Sequence, residues 1–525
     1  MRTSEIPILI VGGGAAGTVL SLELARRGVE FRIIDRLDGP AQTSKAITVH
    51  ARTLEMLERI DKRLANRYLT RGIHNRGYVM HFVKQNVRSE VRPGLDFTTL
   101  DCRYPFLLVH RQCETEEFIR DYMLVEYGLE CEWHTKLVDV KQDNAGITAT
   151  LVHSDDDTDR EQVHCQYLVA CDGVNSRVRK TLEVSQSESD YQGTVLQNLD
   201  AFLHGFPDAD DYVHYCVGTN HFIMVVMLPG GFYRMLLSDR GEAADPNITP
   251  EQGFQRLLDQ HFDNVSIGDV VWHSKWESRV QLAKTYRSGN IFLAGDSAHV
   301  HSTTGGQGMN CCMQDAYNLG WKLALVTKGQ AGPELLDSYE AERRPIAEQV
   351  IWAASSLHEI FMGHGKDISE RSQRMNDPEF INAVIGRCSG ISYTYRDYVE
   401  QPGSLSVIAG PVIGDRAPDV DLRDGSTLFD FTRHPDFSLI AINGNANGDR
   451  QVLEKILHRV RDRFGVLVRS QIVATEPGVE KYYGKESRSR LYLIRPDGYI
   501  GYRCLAEEAG QLESYLENLL KLETK

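Results

Sequence analysis

The sequence has no long hydrophobic run: stretches such as Phe222–Leu228 fall far short of the ~20 apolar residues that cross a bilayer. No membrane association is expected. It also lacks an excess of basic charge, and a formal net charge of −15 over 525 residues argues against nucleic acid as a partner, since non-specific binding there rests on clustered Lys and Arg. The ten cysteines contain no CxxC pair and no metal-like spacing, which predicts free thiols in a reducing compartment and no structural disulfide. The N-terminal MRTSEIPILIVGGG runs straight into a glycine-rich turn with no small-residue cleavage site, so no signal peptide is expected and the chain is assigned to the cytoplasm. Internal repeats and low-complexity segments are absent.

What is present is the composition of a soluble globular protein, 42% hydrophobic and 25% charged, in a chain longer than the roughly 250–300 residues over which one core can grow. Two or three domains are therefore expected. Residues 6–11 are a continuous apolar run typical of a buried strand, residues 15–27 carry helical spacing, and residues 31–35 read as a second strand, which together make a βαβ unit. Residues 167–171 and 290–293 are further strands ending in Gly/Asp turns, so one doubly wound α/β sheet is assembled from distant parts of the chain. Between them, residues 74–102 and 188–274 alternate in short, aromatic-rich stretches and predict an inserted antiparallel sheet. Residues 311–328 and 335–351 predict helices, the second kinked or broken at Pro345. After a Pro- and Gly-containing linker at 399–418, a strand (DFSLIAIN), a helix at 449–464 and a hairpin with an Asp-Gly turn (LYLIRPDGYIGYR) predict a small α/β domain.

Three motifs carry chemistry. The first is Gly12-x-Gly14-x-x-Gly17, enclosing Ala15 and Ala16, after a strand and at the start of a helix. Its glycines permit a tight turn and close approach of a pyrophosphate, and the helix N-terminus supplies N–H donors. Asp35 ends the next strand, where a carboxylate accepts from a ribose diol, and Arg36 beside it suits a 2′-phosphate. At this point FAD and a nicotinamide dinucleotide remain alternatives. The second motif is YLVACDGVNSRVRK, with Asp172, Gly173 and Arg179. The third is NIFLAGDSAHVHSTTGGQGMN, with Gly295 and Asp296 after a strand and Gly305 to Gly308 leading into a helix.

In this order and spacing, the motifs resemble the signature of group A flavoprotein monooxygenases, the p-hydroxybenzoate hydroxylase-like family, over residues 1–400. The remainder, with Gly414, Arg416-Ala417-Pro418-Asp419 and RPDGYIGYR, resembles the thioredoxin-like C-terminal domain of the phenol, polyketide and rifampicin hydroxylase branch. The resemblance implies a discontinuous FAD-binding domain of the GR2-type Rossmann class (1–73, 103–187 and 275–400), a substrate-binding domain (74–102 and 188–274) and a thioredoxin-like domain (401–525). It implies FAD held by Gly12, Gly14, Ala15, Ala16, Gly17, Asp35, Arg36, Lys45, Ala46, Arg111, Gln112, Asp172, Gly173, Arg179, Gly295, Asp296, Gly305, Gly308, Met309 and Asn310. It further implies NAD(P)H as transient co-substrate, with NADPH favoured, and dioxygen and an aromatic small molecule as partners. The implied reaction is hydroxylation through a flavin C4a-hydroperoxide, in a chain that can form a homodimer.

The chain departs from the family in places. Ser302-Thr303 stands where relatives often have a Pro pair, Lys45 where many have Arg, and Ile47 where phenol hydroxylase uses an aspartate to deprotonate its substrate. Candidates for substrate contact are His50, His221, Tyr233, Arg234, His301 and Thr303, each with a plain alternative as a loop or core side chain. His299-x-His301 lacks a third ligand in spacing, so no metal is expected. Cys311-Cys312 falls near the expected flavin but suits small-residue packing at a helix start. Cys504, alone in the last domain, excludes dithiol chemistry there. Competing readings are a flavin-dependent dehydrogenase or reductase, a halogenase (disfavoured because WxWxIP is missing near Trp272–Trp276), and a non-catalytic flavoprotein that binds an aromatic ligand.

Overall fold

The apolar run at residues 6–11 forms the inner half of the strand Arg2–Val11, with Ile8, Leu9 and Ile10 fully buried. A strand covered on both faces reads as an unbroken apolar run, which is why periodicity alone could place it in a parallel sheet. The computed structural model describes residues 2–84, 87–144, 146–153, 158–188, 195–207, 211–239, 248–363, 367–399, 408–444 and 449–521.

The central sheet runs Arg287–Ser288, Ile291–Leu293, Arg160–Ala170, Arg2–Val11, Phe31–Ile34. The last four strands are parallel, in a register that sets Val11 beside Ala170 and Ile34, and Ala170 beside Leu293. Helix Ala15–Ala25 is buried along its whole length and packs against the equally buried helix Gly308–Thr327. Here α/β winding draws on strands separated by more than a hundred residues, as the Gly/Asp strand ends predicted.

The second large sheet runs Ser266–Glu277, Val195–His204, Tyr233–Asp239, His221–Met227, Tyr212–Val217, Gly77–Lys84, Val87–Asp96. It is the expected antiparallel sheet with one exception, the parallel pairing of Tyr212–Val217 with Gly77–Lys84. The two strands are joined through the long excursion from residue 85 to 211, so no hairpin forces them to run antiparallel. One face of this sheet carries Ile223, Val225, Tyr233 and Met235 and is covered by helix Pro250–His261. The other carries Tyr78, Met80, Tyr215 and Phe222 and meets Leu357, Ile360 and Phe361 of helix Asp337–Met362.

That helix runs through Pro345 without ending, so of the expected kink or break the break does not occur. Pro345 removes one backbone donor and clashes with the preceding turn, at a cost of about 3 kcal/mol or more. Tyr339, Glu342, Arg343, Ile346 and Ala347 around it are buried, and the packing and ion pairs of that face outweigh the local penalty.

The C-terminal sheet runs Val468–Val473, Phe437–Ile442, Arg490–Ile494, Ile500–Leu505, with the first pair parallel and the others antiparallel. Helices Asp449–Phe464 and Ala509–Leu519 accompany it, giving a thioredoxin-like unit. It docks on the central unit through Trp321, whose ring meets Phe437 edge-on at 5.7 Å, and through Arg416 with Glu55 at 2.9 Å. All ten cysteines are free. Among the described residues no helix is long and apolar enough to cross a membrane.

Candidate functional site

Because Val11, Ala170 and Leu293 are in register on adjacent parallel strands, the three glycine-bearing segments that follow them emerge side by side at one carboxyl edge of the sheet. The backbone knits them together: Gly12 N donates to Ile34 O at 2.8 Å, Cys171 N to Val11 O at 2.7 Å, and Ala294 N to Ala170 O at 2.9 Å. In open α/β sheets this edge is where ligands bind. Gly12 has φ +112°, and a Cβ there would lie 2.2 Å from Cys171 O; a Cβ on Gly17 would lie 1.9 Å from Gly12 O. Only glycine fits either position. Asp35 reaches back over the turn and accepts from Gly13 N at 2.7 Å, while Arg36 next to it is exposed.

Arg111 precedes helix Gln112–Tyr127 and pairs with Glu114, yet its buried Nε has no partner. Gln112 accepts from Ala46 N at 3.1 Å and donates to Glu116 at 2.8 Å, which ties the loop carrying Lys45 and Ala46 to the front of that helix. Burial raises the Glu116 carboxyl above its usual range.

Asp172 accepts from the N–H groups of Arg177 and Val178 at 2.7 and 3.2 Å, and its Oδ1 is buried without a partner. Burial pushes this carboxyl up as well. Gly173 follows in a left-handed turn at φ +78°. Arg179 turns inward and donates to Ser297 O at 2.7 Å and Val174 O at 2.8 Å, clamping the second motif to the third. Gly295 packs against Ala16 and Cys312, whereas Asp296 is exposed and accepts from Cys312 Sγ at 3.3 Å. The Cys312 thiol is raised well above its ordinary value by burial, as suits a packing residue.

The loop Gly305–Gln307 leads into helix Gly308–Thr327, where the first intrahelical N–H bond is from Cys311 to Gln307 O at 2.9 Å. The N–H groups of Gly308, Met309 and Asn310 thus precede the ladder, as the first donors of any helix do, at the positive end of its dipole. The Asn310 side chain is committed elsewhere: it accepts from His50 N at 2.8 Å and donates to Thr48 O at 2.9 Å and Gly306 O at 3.0 Å.

Of the six candidates for substrate contact, His50 and His301 border this loop. His50 Nε2 lies 2.9 Å from Gly305 O, so Nε2 must carry the proton and Nδ1 is left as a buried acceptor without a partner. In the same way His301 Nδ1 donates to Ser302 O at 3.0 Å, and its buried Nε2 is an unpartnered acceptor. Burial pushes both imidazoles down to about 4, aided at His301 by the charge of His299. Thr303 is exposed at the loop tip. Arg234 is only 2% exposed and engaged with Asp200 and the carbonyl of Ser44. Tyr233 and His221 lie on the far face, under helix Pro250–His261: Tyr233 is in that core, and His221 Nε2 is 2.8 Å from His261 Nε2.

Other groups at the loop escaped the motif search. Tyr78 and Tyr215 stand 4.6 Å apart with Phe97 next to Tyr78, Phe361 stacks on Tyr215 at 4.5 Å, and Phe97 approaches His50 at 5.9 Å. Ile47 packs against the same cluster, making this side dry and aromatic. The period-two alternation of GYVMHFV and YVHYCV, aligned across the two strands, is the signal that would have put both tyrosines on one face. Beneath the loop, Asp315 accepts from His299 at 2.7 Å, Arg343 at 2.7 Å and Gly295 N at 3.2 Å. His299, Cys311 and Asp315 converge like metal ligands, but the Arg343 guanidinium also reaches Cys311 Sγ at 3.5 Å and supplies the cation of the cluster. Burial opposes charge on His299, yet Cys311 and Asp315 outweigh it and raise its pKa well above the usual imidazole range.

The donor set fits a dinucleotide bearing a polar heterocycle. There is a glycine turn that a Cβ would fill, a set of buried polar atoms without partners (Arg111 Nε, His50 Nδ1, His301 Nε2, Gln307 Nε2), and a helix start with donors to spare. Comparison with known proteins points the same way. Residues 5–354 match the FAD binding domain family and residues 410–521 the aromatic-ring hydroxylase C-terminal family. The chain is 36% identical to pentachlorophenol 4-monooxygenase of Sphingobium chlorophenolicum, over 99% of this chain and 97% of that one. Among solved structures, the anhydrotetracycline hydroxylase of Streptomyces rimosus superposes with a TM-score of 0.76 at 28% identity, covering 98% of this chain and 99% of that one. A flavin-dependent monooxygenase solved with FAD and substrate shares the fold, with a TM-score of 0.76 at 21% identity over 99% and 100% of the two chains. The chain therefore belongs to the FAD-binding aromatic-ring hydroxylases, the FAD-dependent aromatic monooxygenases.

Proposed function

We propose that this monooxygenase hydroxylates a phenol-type aromatic compound, drawing on NAD(P)H and dioxygen, at the junction of the Gly305–Asn310 loop and the aromatic face of the second sheet. The observation that carries the proposal is that His50 joins the glycine loop, at Gly305 O, to a dry wall built from Tyr78, Phe97, Tyr215 and Phe361.

Bound FAD supplies hydride acceptance and oxygen activation, chemistry that no side chain provides. The chain supplies position and field. The turn Gly12–Gly17 and the first N–H groups of helix Ala15–Ala25 would hold the pyrophosphate, and Asp35 would accept from the adenosine ribose. Arg111, whose buried Nε has no partner, and Asp296 would help to hold the cofactor, and Gln112 fixes the loop at Ala46. The N–H groups of Gly308, Met309 and Asn310, which precede the helix ladder, would stabilise negative charge on the reduced flavin.

His50 works as a hydrogen-bond acceptor. Pushed down to about 4, its imidazole is protonated in about one molecule in a thousand at neutral pH. It can orient a phenol hydroxyl through Nδ1 and weaken its O–H bond without holding the proton. This takes the place of the carboxylate that Ile47 does not provide.

The test is reconstitution of the full chain with FAD, followed by incubation with NAD(P)H, isotopically labelled dioxygen and a panel of phenols. A product carrying one labelled oxygen supports the proposal. A chain that takes up flavin and consumes NAD(P)H without labelling any ring would instead be an oxidase or reductase.

A further inference from the structure

The turn Arg495–Gly498 joins strands Arg490–Ile494 and Ile500–Leu505 of the thioredoxin-like unit, but its side chains are buried among helices of the FAD-binding unit. Arg495 donates to Glu342 at 2.6 and 2.7 Å and to Asp497 at 2.6 Å. Asn318 bridges Glu342 at 2.7 Å and Asp497 at 3.1 Å, and Lys322 closes the ring on Asn318 and Glu342 at 2.9 and 2.8 Å. Tyr317 donates its hydroxyl to Pro496 O at 3.0 Å, and Arg52 donates to Asp497 O at 2.7 Å. Arg495, Asp497, Glu342, Asn318, Lys322 and Arg52 are all buried.

These contacts are not spread at random over the FAD-binding unit. Tyr317, Asn318 and Lys322 lie on helix Gly308–Thr327, whose first turn leads out of the glycine loop, and Arg52 lies in the first turn of helix Ala51–Ile60, just after His50. The fronts of these two helices are joined to each other by the bond from His50 N to Asn310. One β-turn of the C-terminal unit thus grips, from behind, both elements that shape the loop.

We propose that the Arg495–Gly498 turn is a positioning element of the flavin site, with Asp497 acting through Asn318 and Arg52 on the His50–Asn310 bracket. The C-terminal unit is then part of the cofactor scaffold and not merely a cap. The inference rests on the reading that the Gly305–Asn310 loop faces the flavin. Its physical basis is that a buried polar network is rigid only when every member is satisfied, and losing one member loosens the rest.

The test uses full-length apoprotein titrated with FAD, with the visible circular dichroism and the midpoint potential of the bound flavin as further readouts. Asp497→Ala should weaken FAD binding by about tenfold or more, as for pairs coupled within one network, and should alter both flavin signals. Asp497→Asn keeps one acceptor but sets an NH2 against the Arg495 or Asn318 donors, so it should fall between Asp497→Ala and the wild type, and Tyr317→Phe should move the same readouts in the same direction by less. Tyr492→Phe is the control: its buried hydroxyl bonds to Ala409 O within the C-terminal unit, so its loss should lower thermal stability and leave the flavin signals unchanged. The inference is overturned if folded Asp497→Ala and Tyr317→Phe bind FAD with wild-type affinity and spectrum; should Asp497→Ala not fold, Tyr317→Phe decides alone. A wild-type chain that takes up no flavin overturns the reading of the site itself, and the inference with it.

Discussion

Replacing Arg234 by methionine should break the link between the second sheet and the loop at Ser44–Ala46, and its primary effect should be on stability, not on substrate affinity. The guanidinium donates to both carboxylate oxygens of Asp200, at 2.8 Å to Oδ2, and to the carbonyls of Ser44 at 2.8 Å and Lys45 at 3.4 Å. Methionine keeps much of the side-chain volume but strands Asp200, only 5% exposed, as a buried carboxylate without its cation. Removing one partner of such a pair costs about 3–5 kcal/mol. With an unfolding entropy of about 2.1 cal/mol/K per residue over residues 5–354, the melting midpoint should fall by about 4–7 °C. Affinity for FAD should fall as well, because the tethered loop carries Lys45 and Ala46. The double variant Asp200→Leu/Arg234→Met should recover most of the stability, since it strands no charge. Thermal melts of the apoproteins alongside FAD titrations decide the matter. An Arg234→Met protein that melts like the wild type, with a raised KM for the aromatic substrate as its only defect, would refute this reasoning and return Arg234 to the substrate.

Two further outcomes are expected. Gly17→Ala puts a Cβ 1.9 Å from Gly12 O, an overlap that the turn can relieve only by opening, at about 1–3 kcal/mol or more; the purified variant should lack the flavin absorbance of the wild type, and a fully yellow protein would count against the assigned turn. Burial holds His50, His81 and His110 at about 4 in the folded chain, so between about pH 6.5 and 4 the unfolded chain binds more protons and stability must fall as pH is lowered through that window. Each imidazole contributes a loss of about 2 kcal/mol at pH 5 relative to pH 8, and a melting midpoint that stays flat over that range would show that these rings are not held neutral.

Much of this architecture was legible in the sequence because the relevant signals are local. The strand at Arg2–Val11, the glycine turn, the helix after it and the Asp-Gly hairpin turn at 497–498 each announce themselves within a dozen residues. Pairings across long excursions do not: nothing near Tyr212 says that its strand will run parallel to Gly77–Lys84, and nothing near Pro345 says that packing will carry a helix through it. At the site the same division holds. Backbone geometry at Gly12, Gly17 and Gly305 follows from residue type, whereas the uses of Arg234, His221 and Tyr233 depend on Asp200, on His261 and on which face of a sheet is covered, which are tertiary facts. The aromatic wall of Tyr78, Tyr215 and Phe361 was missed because its members come from three distant segments and match no motif.

The order in which the central sheet is built has a consequence for biosynthesis. Its parallel strands come from residues 2–11, 31–34, 160–170 and 291–293, and its long buried helix follows at 308–327. A nascent chain leaving the ribosome N-terminus first holds its earliest strand without a partner on one side until residue 170 has emerged, and without the helix that buries that face until well past 300. The Arg495–Gly498 turn arrives later still. On the proposed role of that turn, cofactor capture awaits its synthesis, and a chain cut before Arg495 should be colourless protein, not a shorter yellow one.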